Sequence, residues 1–231
     1  PDYYGGHRLG DNLFAESIIA LDIATGERAW HFQAVHHGLW DYDLPAPPSL
    51  VTIEVDGREI DAVVAVGKTA FVYVFDRVTG EPVWPIIERS VPESTVPGEV
   101  PQPTQPFPTR PAPFARQGIT EDDLINFPQE LRTEALDLIS KYRTGTIFTP
   151  PSSEGTIMMP GLIGGAGWGG GATDPITKTF YVKAYNDPFL ARVAAGDGDE
   201  GDADNLPNIN GYLTLKNVLP LLKPPKGTLT A

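Results

Sequence analysis

The sequence has no cysteine among its 231 residues. Disulfides, cysteine-ligated metal sites and thiol nucleophiles are therefore excluded within this stretch. Basic residues are also scarce, because 17 Lys and Arg face 30 Asp and Glu and leave a net charge of −13 at pH 7. An acidic chain repels phosphate backbones, so we expect no nucleic-acid partner. No apolar run is long enough to cross a bilayer as a helix.

Glycine and proline are abundant, with 24 residues of each. Proline is about twice as frequent as its average of roughly 5%, which favours many turns and short strands over a helical bundle. The chain starts at Pro1 without a signal peptide and stops in what looks like the first residues of a strand. We therefore expect an internal piece of a longer protein.

A strand–turn–strand unit occurs at residues 16–30 and again at residues 70–84, with a weaker third copy from Asp174. Units that repeat in this way are typical of propeller blades, which bury their faces by stacking on one another. The sequence therefore predicts an all-β fold, part of a β-propeller, in which the tryptophan that ends each full copy docks neighbouring blades. The two full copies share five residues at an offset of 54, namely Asp22/Asp76, Thr25/Thr79, Gly26/Gly80, Glu27/Glu81 and Trp30/Trp84.

Between the second and third copies lies a segment of different character. Residues 87–116 contain eight prolines and cannot form a helix or a central strand, so we predict a long extended loop. Thr120 is followed by three acidic residues, which indicates a helix start. Apolar residues at helical spacing predict a short inserted helix from Gln129 to Lys141. We expect the proline-rich loop and this helix to form one insertion at residues 87–145, approximately.

The densest group of chemically active side chains is the stretch His36–Pro45. His36 and His37 are adjacent, so on an extended segment they point to opposite sides and do not share a metal. We expect them to hydrogen-bond the backbone. Asp41 and Asp43 are alternate residues and therefore face the same way. Two converging carboxylates are a common arrangement around a hard cation, and an Asx-type turn before the proline is the alternative.

Three further stretches bear on function. Lys68 immediately follows an apolar strand at residues 61–66. Seven glycines surround Trp168 at residues 161–171, which allows close approach of the backbone to a ligand or to another strand. Their spacing does not match a nucleotide-phosphate loop. The acidic stretch Asp197–Asp204 is expected to be a solvated loop, because a glycine stands where an EF-hand needs a ligand.

Taken together and in this order, the motifs resemble the pyrroloquinoline quinone (PQQ) dehydrogenases, and most closely the membrane-bound glucose dehydrogenase type. The resemblance covers nearly the whole chain. The motifs that carry it are Leu21-Asp22-x-x-Thr25-Gly26-x-x-x-Trp30, His36-His37-x-x-Trp40-Asp41-x-Asp43-Leu44-Pro45, Gly67-Lys68-Thr69 and Trp168-Gly169-Gly170.

The resemblance implies an eight-bladed quinoprotein propeller, of which residues 1–231 supply about three blades within a single domain. It implies that Asp41 is the catalytic base beside a metal and that Lys68 contacts the quinone oxygens of PQQ. Gly167 and Trp168 would approach the cofactor, and methanol-type relatives have Asn where Gly167 stands. Asp43 has the spacing of a lanthanide ligand, but glucose-type members of the family carry an Asp there as well. The metal expected at Asp41 and Asp43 is therefore calcium, with a lanthanide or magnesium as alternatives. Further metal ligands are expected upstream of this chain.

The activity implied is PQQ-dependent oxidation of a sugar, polyol or other alcohol, with a quinone or a cytochrome as electron acceptor. A periplasmic location is expected, with membrane association only through parts outside this chain. The alternative is a non-catalytic PQQ-like propeller that scaffolds protein assembly, and a third possibility is an enzyme descendant that has lost activity. A scaffold has no need of a carboxylate and a lysine at strand ends, so Asp41 and Lys68 favour the enzyme.

Overall fold

The computed structural model describes residues 3–195, 205–216 and 218–231. The acidic stretch Asp197–Asp204 lies outside these residues. No helix in the described part of the chain is both long enough and apolar enough to span a bilayer. These residues form fifteen strands, one 3₁₀ turn and one α-helix. The strands are β1 Ser17–Leu21, β2 Arg28–Gln33, β3 Ser49–Val55, β4 Arg58–Val66, β5 Val72–Asp76, β6 Ile86–Ser90, β7 Thr104–Pro108, β8 Thr156–Met158, β9 Gly171–Asp174, β10 Thr179–Tyr185, β11 Phe189–Ala195, β12 Asn205–Tyr212, β13 Thr214–Leu215, β14 Leu219–Pro220 and β15 Gly227–Thr230.

The strands form several small antiparallel sheets, as expected for part of a propeller. The first repeat forms the pair β1-β2, and the second contributes β5 to the sheet β3-β4-β5. The apolar stretch 61–66 belongs to β4, the central strand of that sheet. The third copy is the turn between β9 and β10 in the sheet β15-β10-β9, and the remaining strands pair as β12-β11-β8, β6-β7 and β13-β14. The predicted all-β class is confirmed.

The three repeat turns are built in the same way. In each, one carboxylate oxygen of the aspartate accepts hydrogen bonds from the backbone N–H groups two and three residues later. These backbone hydrogen bonds stabilise the charged form and lower the pKa of Asp22, Asp76 and Asp174. The residue four positions after the aspartate has a positive φ in every copy, at +74° in Gly26, +76° in Gly80 and +55° in Lys178.

Trp30 docks the first repeat on the second, as predicted. Its indole N–H donates to the carbonyl of Arg77 at 3.1 Å. Its ring lies over Gly80, where an added Cβ would come within 2.5 Å of the ring. Trp84 also lies between two sheets, since it lines an apolar cavity of about 320 Å³ between β3-β4-β5 and the sheet of the third copy. Lys178, which takes the glycine position of the third turn, lines the same cavity.

The proline-rich segment is extended, and two of its stretches also pair as strands β6 and β7, which the sequence did not predict. Pro106 and Pro108 lie within β7. A proline cannot donate to a sheet, but this sheet has only two strands, so both have an outer edge that needs no partner.

The inserted helix α1 spans Gln129–Ile139 and ends two residues before the predicted position. Leu131, Ala135 and Ile139 are buried on one face of it, as the periodicity indicated. The helix start predicted at Thr120 is a single 3₁₀ turn, Glu121–Asp123, separate from α1. The Asp123 carboxylate accepts hydrogen bonds from the backbone N–H and the hydroxyl of Thr120, which satisfies the first donor of the turn.

Candidate active site

The side chains of Asp41, Asp43 and Lys68 meet at one point. The Lys68 ammonium lies 2.7 Å from Oδ2 of Asp41 and 2.8 Å from Oδ1 of Asp43. The Lys68 and Asp41 side chains are 14% and 22% exposed, whereas Asp43 is 44% exposed. The predicted convergence of the two carboxylates is therefore seen, and a lysine from another strand end joins them.

The aromatic residues that alternate with the two aspartates explain why both carboxylates face one way. Trp40 and Tyr42 are fully buried and stack at 6.3 Å between ring centroids. The Trp40 indole N–H donates to the carbonyl of Thr149 at 3.0 Å, and the Tyr42 hydroxyl donates to the carbonyl of Pro160 at 2.8 Å. With both rings fixed in the core, the intervening Asp41 and the following Asp43 turn outward. The stretch is not uniformly extended, because Asp41 has a φ of +58°.

The charge balance of this group favours a protonated lysine. Burial alone would lower the pKa of Lys68. The hydrogen bonds and negative charges of Asp41 and Asp43 outweigh that effect, so the pKa of Lys68 is raised above the ordinary lysine value. Lys68 therefore carries its positive charge at neutral pH beside two carboxylates.

Lys68 belongs to the turn Gly67–Ala70, which joins β4 to β5 and which we call the lysine turn. Segments remote in sequence hold its backbone. The Lys68 N–H donates to the carbonyl of Asp43 at 3.1 Å. All four carbonyls of the turn accept hydrogen bonds from other segments: Gly67 from Ala166 N–H at 3.3 Å, Lys68 from Gly165 N–H at 2.9 Å, Thr69 from Gln117 Nε2 at 2.8 Å, and Ala70 from Phe114 N–H at 3.1 Å.

The glycine-rich segment packs directly against the lysine turn. A Cβ added at Gly164 would lie 2.3 Å from Cβ of Lys68, and one added at Gly165 would lie 2.5 Å from Cβ of Ala70. Side chains at these two positions would displace the lysine. Gly164 and Gly165 therefore allow another backbone segment to approach closely. Of the two alternatives left open by the sequence, a ligand or another strand, these two glycines fit the second.

Gly167 and Trp168 lie just beyond this packed part. The nearest atom that a Cβ at Gly167 would meet is the Ile163 carbonyl oxygen, at 3.6 Å, so there is room beside this residue. Gly167–Gly170 form a turn closed by one backbone hydrogen bond of 3.0 Å. Trp168 stands at its tip with 87% of its surface exposed. Because the N–H of the preceding Ala166 is hydrogen-bonded to the lysine turn, Gly167 and Trp168 lie at the margin of the site.

The ring of His37 hydrogen-bonds the backbone as predicted, whereas the ring of His36 contacts two side chains, so the prediction is wrong for His36. The partners of both rings lie outside the group of Asp41, Asp43 and Lys68. His37 is buried and its Nδ1 lies 2.7 Å from the carbonyl of Gly10. His36 lies between the side chains of Gln33 and Glu88, at 3.1 and 3.2 Å. These contacts anchor the start of the stretch that carries Asp41.

Two residues near the site were not found from the sequence. Gln117 holds the lysine turn, and Glu16 places its carboxylate over Gly38. Burial raises the pKa of Glu16, the positive charge of Arg8 opposes that shift, and the negative charge of Asp43 adds to it. No local pattern distinguishes either residue, because each reaches the site through a contact remote in sequence.

The described residues supply part of a metal site. Within residues 3–195, 205–216 and 218–231, no group of three or more His, Cys, Asp or Glu side chains could hold a metal ion. Ca²⁺ takes about six to eight oxygen ligands, and Asp41 with Asp43 offers two carboxylates. Both carboxylates already bind one cationic group, the Lys68 ammonium. Asp41 and Asp43 therefore provide part of the ligand set that a metal cation needs.

Comparison with known proteins was made by sequence and by structure. Residues 1–231 match the family model described as PQQ, glucose/ethanol/alcohol dehydrogenase, β-propeller domain. The chain is 36% identical over 197 residues to the quinoprotein glucose dehydrogenase of Escherichia coli (strain K12), covering 84% of this chain and 24% of that protein. It is 30% identical over 252 residues to the quinate/shikimate dehydrogenase (quinone) of Acinetobacter baylyi, covering 100% of this chain and 31% of that protein.

The solved structures agree on the fold. The quinohemoprotein alcohol dehydrogenase from Comamonas testosteroni superposes with a TM-score of 0.53 at 20% identity, covering 92% of this chain and 28% of that one. A europium-containing methanol dehydrogenase superposes with a TM-score of 0.52 at 20% identity, covering 89% and 30%. The chain spans about a quarter of the length of the curated quinoprotein glucose dehydrogenases that it matches.

Proposed function

The chain belongs to the PQQ β-propeller domain family of glucose, ethanol and alcohol dehydrogenases, and on that premise we propose that the protein carrying it is a quinoprotein dehydrogenase. Its reaction is the oxidation of a sugar, polyol or other alcohol with PQQ. The observation that carries the proposal is the contact of 2.7 Å between Asp41 and Lys68, at the end of a propeller strand.

Asp41 acts as the general base. Its carboxylate accepts the proton of the substrate hydroxyl, while the hydrogen on the same carbon leaves as a hydride with both electrons of the C–H bond and would be taken up by the quinone. Trp40 and Tyr42, the residues before and after Asp41, have buried side chains bonded to Thr149 and Pro160, so the backbone that carries the carboxylate is fixed before the substrate arrives. A positioned base of this kind contributes about 10²–10⁴-fold to a rate.

Lys68 supplies the positive charge of the site. PQQ, when bound, provides the quinone that accepts the two electrons removed from the substrate. The raised pKa of Lys68 keeps its ammonium charged, and a fixed cation stabilises negative charge that develops nearby in the transition state. Gly167 leaves room beside the site and Trp168 presents an exposed ring at its margin, and both are assigned to the cofactor.

Asp41 and Asp43 are assigned as ligands of a calcium ion, with a lanthanide or magnesium as alternatives. Support comes from their convergence on one cationic group. A bound metal would polarise a carbonyl oxygen as a Lewis acid.

The wider assignments follow from the family. Residues 1–231 are assigned to a single propeller domain of a protein in the periplasm or on the periplasmic face of the inner membrane. Its electron acceptor is a quinone or a cytochrome, and membrane association involves other parts of the protein. Relatives are named for glucose, quinate or shikimate, and glycerol, so these compounds define the substrate classes to examine.

The test uses the natural protein at full length, freed of cofactor and metal. It is reconstituted with PQQ and Ca²⁺, Mg²⁺ or a lanthanide, and dye reduction is followed with glucose, quinate, glycerol and simple alcohols. We expect metal-dependent activity on at least one of them. A folded protein that binds no PQQ would refute the proposal and would favour the non-catalytic scaffold.

A further inference from the structure

One of the four carbonyls of the lysine turn is held by a side chain, whereas backbone N–H groups hold the other three. Gln117 Nε2 donates to the carbonyl of Thr69 at 2.8 Å. Thr69 is 1% exposed, so water cannot easily replace this donor. A buried carbonyl without a donor is unfavourable, and the turn would have to rotate to find another partner.

Gln117 is delivered to the turn by a well-anchored segment. The N–H of Arg116 donates to Oδ1 of Asn186 at 2.9 Å, and the Arg116 guanidinium donates to the carbonyl of Lys223 at 3.0 Å. On the other side, the N–H of Gly118 donates to the carbonyl of Met159 at 2.7 Å. Both neighbours of Gln117 are therefore fixed, and its amide reaches Thr69 from a rigid support.

Rotation of the lysine turn would move the active-site group itself. Thr69 directly follows Lys68, whose ammonium must lie within 3 Å of two carboxylates on a different segment. A change of backbone angle at residue 69 swings the Lys68 side chain, because the long side chain multiplies a small rotation at its base. The packing of Gly164 against Lys68 limits sideways movement of the turn, and the Gln117 bond limits its rotation.

We propose that Gln117 is a positioning residue for Lys68, and that the proline-rich insertion contributes it to the active site. The proposal rests on the proposed function. Gln117 acts through the carbonyl of Thr69 and needs no contact with substrate or cofactor. The insertion is then a structural support of the site and not only an addition at the rim of the propeller.

The variants are Gln117→Met, which keeps the length of the side chain and removes the donor, and Gln117→Ala, which removes both. The control is Thr109→Val in the same insertion. The Thr109 hydroxyl also donates to a backbone carbonyl, that of Pro85 at 2.7 Å, and this bond does not involve the lysine turn. All variants are made in the natural full-length protein.

The first readout is local hydrogen exchange in the cofactor-free protein, followed by mass spectrometry on peptides that contain residues 67–70. The second is the equilibrium affinity for PQQ, measured by titrating the cofactor-free protein. The third is the separate measurement of kcat and KM for the best alcohol substrate at saturating PQQ.

We expect faster exchange at residues 67–70 in both Gln117 variants, about tenfold weaker PQQ binding, and a lower kcat with little change in KM, as for loss of an interaction made mainly in the transition state. Thr109→Val should leave the exchange at residues 67–70 and the PQQ affinity unchanged. If Gln117→Met folds and binds PQQ like the unmodified protein, the proposal is wrong. If Gln117→Ala does not fold, the results for Gln117→Met alone test the proposal.

The proposal and the proposed function fail in different ways. An unmodified protein that binds no PQQ overturns the proposed function, and with it the catalytic part of this proposal. The exchange at residues 67–70 does not depend on cofactor. Unchanged exchange in both Gln117 variants would therefore refute the support of the turn by Gln117, whatever the protein catalyses.

Discussion

The strand β5 has a turn at each end, and the two turns are made in opposite ways. The turn after it, Asp76–Gly80, is closed by its own residues, because the Asp76 carboxylate accepts the N–H groups of Val78 and Thr79, both at 2.9 Å. The lysine turn before it donates one hydrogen bond to residue 43 and accepts hydrogen bonds from residues 114, 117, 165 and 166. One turn is local and repeated, and the other is assembled from the rest of the fold.

This difference separates stability from function along a single strand. A turn that closes itself can recur in every blade, as it does at Asp22, Asp76 and Asp174. A turn that must carry Lys68 to two carboxylates on another segment needs a unique environment. We therefore expect changes at the lysine turn to affect catalysis most, and changes at the Asp76 turn to affect folding most.

The largest effect is expected for Asp41→Asn in the full-length protein. The side chain keeps its shape and loses its ability to take a proton, so kcat/KM should fall by at least about 100-fold. The melting temperature should change by only a few degrees. Asp76→Asn is the control at the other end of β5, and it should retain activity. Equal losses of activity in both variants would remove the distinction between the two turns.

A second prediction concerns the glycines of the repeat turns. Gly80→Ala places a Cβ within 2.5 Å of the Trp30 ring at a φ of +76°, so both overpacking and backbone strain act. We expect a loss of about 1–3 kcal/mol in unfolding free energy.

Gly26→Ala is its matched control. Gly26 has a φ of +74°, but a Cβ there would meet nothing within 4 Å. Only the cost of the positive φ remains, about 1 kcal/mol. The difference between the two variants measures the docking of Trp30. If the Gly26 variant is the less stable of the two, Trp30 does not fix the second blade through this turn.

The smallest effect is a difference in the response to pH. The folded pKa of Asp76 lies below the ordinary value of 3.8, and the same holds at Asp22 and Asp174. Their contribution to stability is complete above pH 3.8 and is lost as the pH falls through the lowered pKa. Replacing all three by Asn should flatten the fall in melting temperature below pH 4.

Lys68 behaves in the opposite sense. Its folded pKa is raised above 10.5, so its contribution is complete below that pH and is lost only as the pH rises through the raised value. Lys68→Met should therefore reduce the loss of melting temperature on the alkaline limb of the stability curve. An alkaline limb that is the same in Lys68→Met and in the unmodified protein would contradict this assignment of charge.

The contrast between the turns also explains what could be predicted from the sequence. The Asp76 turn depends on residues within five positions of one another, so its repetition at a constant offset revealed the blades and the docking role of Trp30. Asp41 and Asp43 were recognised through alternation on one segment. That alternation held although Asp41 has a positive φ, because Trp40 and Tyr42 are fixed by core contacts.

The parts that were not predicted depend on remote contacts. The meeting of Lys68 with both aspartates requires that three segments come together, and the resemblance to a family supplied the roles of these residues and not their distances. Gln117 and Gly164 act on the lysine turn from more than 45 residues away. The pairing of β6 with β7 was hidden by prolines, which a two-stranded sheet tolerates at its edges.

The most direct test of the account is an equilibrium titration of PQQ into the cofactor-free full-length protein and its Lys68→Met and Asp76→Asn variants. We predict saturable binding by the unmodified protein and by Asp76→Asn with equal affinity, and binding at least about tenfold weaker in Lys68→Met, since a buried charge that pairs with a ligand is costly to remove. Equal affinity in all three proteins would contradict the assignment of the lysine turn to the active site.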